Sequence, residues 1–158
     1  MAGRMDQDWL RGAASLGAAA GWTPEEMRLI AELGYALAEQ GRDREAVTIF
    51  EGLAALAPAI TYFQSALGAL RLRLGEPERA ISHLGRVLAA DPQDLMALVN
   101  RGEAAMQTGD IASARRDLST AILLDTPTET PAAALCLKRA HALFARLDEQ
   151  EGEMLKNA

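Results

Sequence analysis

The feature that most constrains this chain is a repeat of 34 residues running through its middle. Glycine falls at Gly34, Gly68 and Gly102, and again at Gly41, Gly75 and Gly109; alanine falls at Ala46, Ala80 and Ala114. Phe50, Leu84 and Leu118 keep the same step, and proline closes two units at Pro58 and Pro92 before slipping by one residue to Pro127. A period of this length marks a small supersecondary unit that cannot bury its apolar face alone and must stack on copies of itself.

The letters within one unit predict two helices. Ile30, Leu33 and Leu37 share a helical face, and Thr23, Pro24 and Glu26 supply a start signal before them. Gly34, without a side chain, lets a partner helix come close. Gly41 supplies a left-handed end, and Asp43 is placed to cap a second helix carrying Ala46, Val47, Ile49, Phe50 and Leu53 up to Pro58. The second unit repeats this with Gly75, Pro77 and the exit Asp91-Pro92; the third uses Gly109-Asp110 and leaves at Asp125-Thr126-Pro127. Composition agrees. Alanine makes up roughly a fifth of the 158 residues and aromatics only 4%, which suits closely packed helices and disfavours a sandwich or barrel.

This pattern is similar to the tetratricopeptide repeat across 27–128. The resemblance implies an all-α fold, a right-handed superhelical stack of three helix pairs with units at 27–60, 61–94 and 95–128. Thr130-Pro131 starts a capping helix over 131–147 that carries Ala134, Leu135, Leu137, His141, Leu143, Phe144 and Leu147, with a polar tail at 148–158. Residues 1–22 form an N-terminal helical segment in which Trp9, Leu10, Ala13, Leu16 and Gly17 are weakly amphipathic; it either caps the stack within 23–147 or pairs two copies into a homodimer. Gln64, Arg71 and Arg101 stand where the repeat keeps apolar residues, and Leu53 and Val87 where a small alanine is common, so the packing there is expected to be looser or more polar.

Several functions are excluded as expectations. The net charge is −6 and no basic stripe emerges, so a nucleic-acid partner is not expected. One cysteine, Cys136, closes no disulfide within the chain and points to a reducing, cytoplasmic setting. Asp6 and Asp8 before an Ala/Gly-rich run argue against a secretory leader, and no window is apolar enough to insert in a membrane. His83 and His141 lie far apart without a second ligand, and the glycines belong to repeat positions and form no phosphate loop. Neither catalysis, a metal nor a cofactor is expected.

In the tetratricopeptide architecture the first helices of successive units line a concave groove. The spacing i, i+3, i+7, i+10 selects Arg28, Ala31, Tyr35 and Ala38 in the first unit, Tyr62, Ser65, Ala69 and Leu72 in the second, and Met96, Val99, Glu103 and Met106 in the third. Small residues leave pockets there, and Tyr, Leu, Val and Met wall them. The set suits an extended peptide with apolar anchors. A carboxylate clamp is not expected, because Ala31 and Tyr35 replace its Lys and Asn. The strings Tyr62-Phe63 leading to Ala66-Leu67-Gly68-Ala69, Ala80-Ile81-Ser82-His83, and Glu103 before Gly109 further resemble the class II chaperones of type III secretion, over about 27–147. That resemblance implies a protein client with apolar anchors, held in the groove by Tyr35, Tyr62, Ala69 and Leu72, and dimerisation through the N-terminal helix. The competing reading is a general adaptor that assembles a multiprotein complex.

Overall fold

The structure is a computed structural model and describes residues 20–124 and 130–156. Its elements are α1 (Pro24–Glu39), α2 (Asp43–Leu56), α3 (Thr61–Arg73), α4 (Pro77–Ala90), α5 (Leu95–Thr108), α6 (Ile111–Leu123) and α7 (Pro131–Lys156). Among the described residues the only regular structure is helix, as the repeat requires. Most of the proposed N-terminal helix and the exit Asp125-Thr126-Pro127 lie outside the described residues. The chain divides into two compact units, Met1–Glu76 and Pro77–Ala158, with the division inside the second sequence repeat.

In the first unit the helix ends form as the sequence predicts. Thr23 and Glu26 make a reciprocal capping box ahead of Pro24. Gly41 (φ +76°) and Gly75 (φ +71°) take the left-handed conformation. Each lets the next amide reach back over the helix end, Arg42 N–H to Leu37 O and Glu76 N–H to Arg71 O, both at 2.9 Å. Asp43 differs from expectation. It is the first residue of α2, whose cap is Arg42, with no side-chain capping bond to the helix backbone. Its carboxylate instead receives Arg73 of α3, which also donates to the carbonyl of Ala38 at 2.8 Å. A cross-helix ion pair has taken the group that local sequence assigned to a cap.

The inward face of α1 is Met27, Ala31, Gly34 and Leu37, and it packs on Ala46, Val47, Phe50 and Leu53 of α2. Leu33, predicted to pack inward, is 53% exposed. The reason is Gly34. A Cβ there would stand 2.9 Å from the Phe50 ring, so the helices approach most closely where the side chain is missing. The buried stripe centres on that point and turns Leu33 outward. Ile60, Phe63, Leu67 and Leu70 complete this core. The two misfit polar residues of α3, Gln64 and Arg71, are buried all the same. Arg71 donates to Glu76 at 2.6 Å and to Glu51 on α2, so the departure from the repeat has become a tie between helices.

The second unit reuses the scheme. α4 buries Ala80, Leu84, Val87 and Leu88, and α5 packs on both α4 and α6. Asp94 and Asp110 cap α5 and α6 through bonds from Ala97 N–H and Ser113 N–H, each 3.0 Å. Gly102 meets Leu118 as Gly34 meets Phe50: an added Cβ would lie 2.8 Å from Leu118 Cγ. Leu118 and the helix backbone around it have nowhere to move, because Ala114, Leu118 and Ala121 are fully buried. Gly102→Ala is therefore expected to destabilise the chain by about 1–3 kcal/mol through overpacking, against a gain of about 1 kcal/mol from helix propensity alone. Urea unfolding followed at 222 nm distinguishes the two signs.

Thr130 caps α7 through Ala133 N–H at 3.2 Å, and the helix packs on α5 and α6 through Cys136, Ala140, Leu143 and Leu147. Leu135 and His141, placed in its apolar stripe by sequence, are exposed. α7 also continues beyond 147 to Lys156, through residues read as a polar tail. Glu, Gln and Lys are good helix formers. Asp148 adds an anchor, taking Arg115 at 2.8 Å while that guanidinium lies 4.9 Å from the centre of the Phe144 ring.

Candidate peptide-binding face

The candidate residues divide by exposure. In the first unit Arg28, Tyr35 and Ala38 on α1 and Tyr62, Ser65 and Ala69 on α3 are half-buried, leaving surface for a ligand. Ala31 is only 1% exposed and Leu72 8%, so both act mainly in packing. In the second unit Met96 is exposed and Glu103 and Met106 are half-buried, whereas Val99 is fully buried. Ala31 lies a turn from Gly34 and Val99 a turn from Gly102. Close helix approach at the glycines draws these neighbours inward, an effect that spacing along one helix does not contain.

What the fold brings together in the first unit is aromatic. The Tyr35 and Tyr62 rings lie 5.7 Å apart at 37°, so the two tyrosines selected on separate helices are neighbours. Phe50 of α2 stands behind both, 5.8 Å from Tyr35 and 6.5 Å from Tyr62, edge to face in each case, and Phe63 extends the cluster behind Phe50 at 6.4 Å. Phe50 and Phe63 are buried while the tyrosines keep an exposed side. The result is a firm apolar surface with hydroxyl groups. Burial raises the Tyr35 pKa, so its hydroxyl stays protonated at any ordinary pH and remains a donor. The part played by Phe50 was not legible beforehand: it was recognisable as a repeat core residue, but its contact with both tyrosines depends on helix packing.

Charge around these residues is already engaged. Arg28 pairs with Glu25 at 2.5 Å and Glu32 at 3.2 Å on the surface of α1, a local arrangement worth a few tenths of a kcal/mol per pair. In the second unit Glu103 receives Arg139 of α7, and the same guanidinium donates to Asn100 at 2.9 Å. Sequence gave no pairing for Arg139; its only signal was a position three residues after Cys136 on the packed side of α7.

The Cys136 thiol is buried, burial raises its pKa, and its sulfur lies 3.9 Å from the Leu95 carbonyl oxygen. Among the described residues no three His, Cys, Asp or Glu side chains stand together as a metal site, and no helix is long and apolar enough to cross a membrane.

Residues 65–134 match the family model described as the tetratricopeptide repeat. No curated protein matches the chain in a sequence search. Among solved structures, a type III secretion complex from Aeromonas hydrophila superposes with a TM-score of 0.79 at 23% identity, over 92% of this chain and 96% of that one. PcrH, from Pseudomonas aeruginosa, in complex with the chaperone binding region of PopD, gives 0.74 at 23% identity, over 83% and 97%. The type III secretion chaperone SycD of Yersinia enterocolitica, in complex with a peptide of the translocator YopD, gives 0.72 at 20% identity, over 80% and 95%. Residues 65–134 thus match the tetratricopeptide repeat, in a chain whose fold is similar to that of the type III secretion translocator chaperones PcrH and SycD.

Proposed function

We propose that this chain is a peptide-binding chaperone that holds an extended, apolar-anchored segment of a translocator or another secreted client, in the cytoplasm and without catalysing a reaction. The observation that carries the reading is the Tyr35–Tyr62 pair. Two half-exposed rings from different helices, backed by buried Phe50, form a surface on which an aliphatic or aromatic anchor loses water while the hydroxyls bond to peptide backbone. Ser65 and Ala69 follow Tyr62 along the same half-buried side of α3 and leave room for a chain to pass. Met96 and Met106 offer flexible apolar surface of the kind that accepts varied side chains. The likeness in fold to PcrH and SycD supports the reading, since both have been solved with client peptide: the chaperone binding regions of PopD and PopB with the first, a YopD peptide with the second. SycD is also known in an alternative dimer, and self-association of this chain belongs to the same reading.

The test is titration with synthetic extended peptides bearing apolar side chains at two or three spaced positions. Micromolar or tighter binding is expected, about −8 kcal/mol or better. Ala69→Glu places a charge beside the path of the peptide and is expected to weaken binding by about 100-fold, close to 2.7 kcal/mol, while the helical signal at 222 nm is unchanged. Equal affinity of variant and parent would remove this face from consideration and favour the adaptor reading.

A further inference from the structure

In the second unit, Pro77–Ala158, the side chain of Asn100 is buried with its bonding half complete. The residue is 6% exposed, and its Oδ1 accepts from Arg139 of α7 at 2.9 Å. A guanidinium only donates, so this bond fixes which end of the amide is oxygen and turns the NH2 group to the other side. Among the described residues nothing accepts from that NH2 group. It is not sealed from water either, since the fully buried side-chain nitrogen without a partner among these residues is Arg71 Nε. Buried amides are rarely left with unused donors, and one that keeps a sliver of exposure is placed for an acceptor brought from outside.

The neighbours indicate which acceptor. Met96, Asn100 and Glu103 share one face of α5, and on α7 Leu135 precedes Arg139 by four residues, as Met96 precedes Asn100. The Cys136 sulfur, 3.9 Å from the Leu95 carbonyl oxygen, holds the two helices together one turn ahead of the polar pair. Both helices therefore run from an exposed apolar residue, Met96 at 40% and Leu135 at 69%, to a polar one a turn later. Arg139 is also paired with Glu103, so its charge is balanced. What the face offers is a neutral N–H donor close to apolar side chains. A neutral carbonyl next to an apolar side chain complements it, and an extended peptide backbone supplies that combination where a free anion does not.

We infer that Asn100 binds the client peptide by donating its side-chain NH2 to a backbone carbonyl, with Arg139 as the positioning residue that holds the amide in this orientation and Met96 and Leu135 receiving the adjacent apolar side chain. The inference rests on the peptide-binding reading above and adds to it a contact that lies wholly within the second unit.

The test uses the full chain and the synthetic apolar-anchored peptides. Asn100→Leu keeps the volume and removes the donor; Asn100→Asp keeps the shape and the bond to Arg139 but turns the donor into an acceptor. Each is expected to bind about tenfold more weakly than the parent, with the helical signal at 222 nm unchanged. A structural role alone could lower affinity too, so peptides in which each amide in turn is replaced by an ester, a weaker acceptor, supply the second readout. At one position the ester is expected to cost the parent about fivefold and the Asn100→Leu variant nothing. Equal affinity of parent and both variants overturns the inference while leaving the Tyr35–Tyr62 reading, which Ala69→Glu tests separately. Weaker binding in which every ester costs parent and variant alike also overturns it, and a parent that binds none of the peptides overturns both.

Discussion

Phe50→Ala is expected to lower the unfolding free energy by about 3–5 kcal/mol and to weaken peptide binding at the same time. The ring is 1% exposed, sits against the bare backbone of Gly34, and touches Tyr35, Tyr62 and Phe63. Its removal leaves a cavity where α1 and α2 come closest, and no side chain at Gly34 can fill it. The tyrosines also lose their backing, so the loss of affinity should exceed what destabilisation alone produces. Urea unfolding gives the first quantity. Titration well below the unfolding midpoint gives the second. A stability cost under about 1 kcal/mol would show that the site collapses freely, and unchanged affinity would separate Phe50 from the binding surface.

The second large effect is expected at Arg101. Its guanidinium makes two bonds to Asp117, at 2.6 and 2.8 Å, and the Asp117 side chain is only 4% exposed while that of Arg101 is 29% exposed. Arg101→Met strands a carboxylate inside the α5–α6 packing. The cost for a buried pair broken from one side is about 3–5 kcal/mol, and the partial exposure of this one places it near 3. Arg71→Met offers the contrast. Glu51 and Glu76, at 51% and 38% exposure, regain water when Arg71 is lost, so about 1 kcal/mol is expected. Denaturant midpoints of the two variants decide the matter, and similar costs would contradict the account. Arg101→Met with Asp117→Leu should recover most of the loss, because an apolar pair removes both the charge and its desolvation.

Legibility in the sequence followed the range of the interaction responsible. The capping box at Thr23 and Glu26, the left-handed ends at Gly41, Gly75 and Gly109, and the cap at Thr130 rest on groups within a few residues of one another, and all are present. That Gly34 lets a partner helix come close was readable, whereas its contact with Phe50, and that of Gly102 with Leu118, came from the packing. Asp43 looked like a cap until Arg73, thirty residues away, was brought to it. The candidate face was legible in part: Tyr35, Tyr62, Ser65 and Ala69 have surface to offer, whereas Ala31, Leu72 and Val99 are packed.

The sequence by itself determined that this chain makes helices, where most of them begin and end, and which glycine, alanine and large apolar positions recur from unit to unit. Those are matters of backbone conformation and of a period that local chemistry writes into the residues. Tertiary structure alone decided which side of α1 turns inward, which carboxylates Arg73 and Arg101 meet, and that two tyrosines become neighbours over one phenylalanine. The physical reason is that helical spacing defines a face only to within about a hundred degrees. Close contact at the glycines then rotates that face, sending Ala31 inward and Leu33 to the surface.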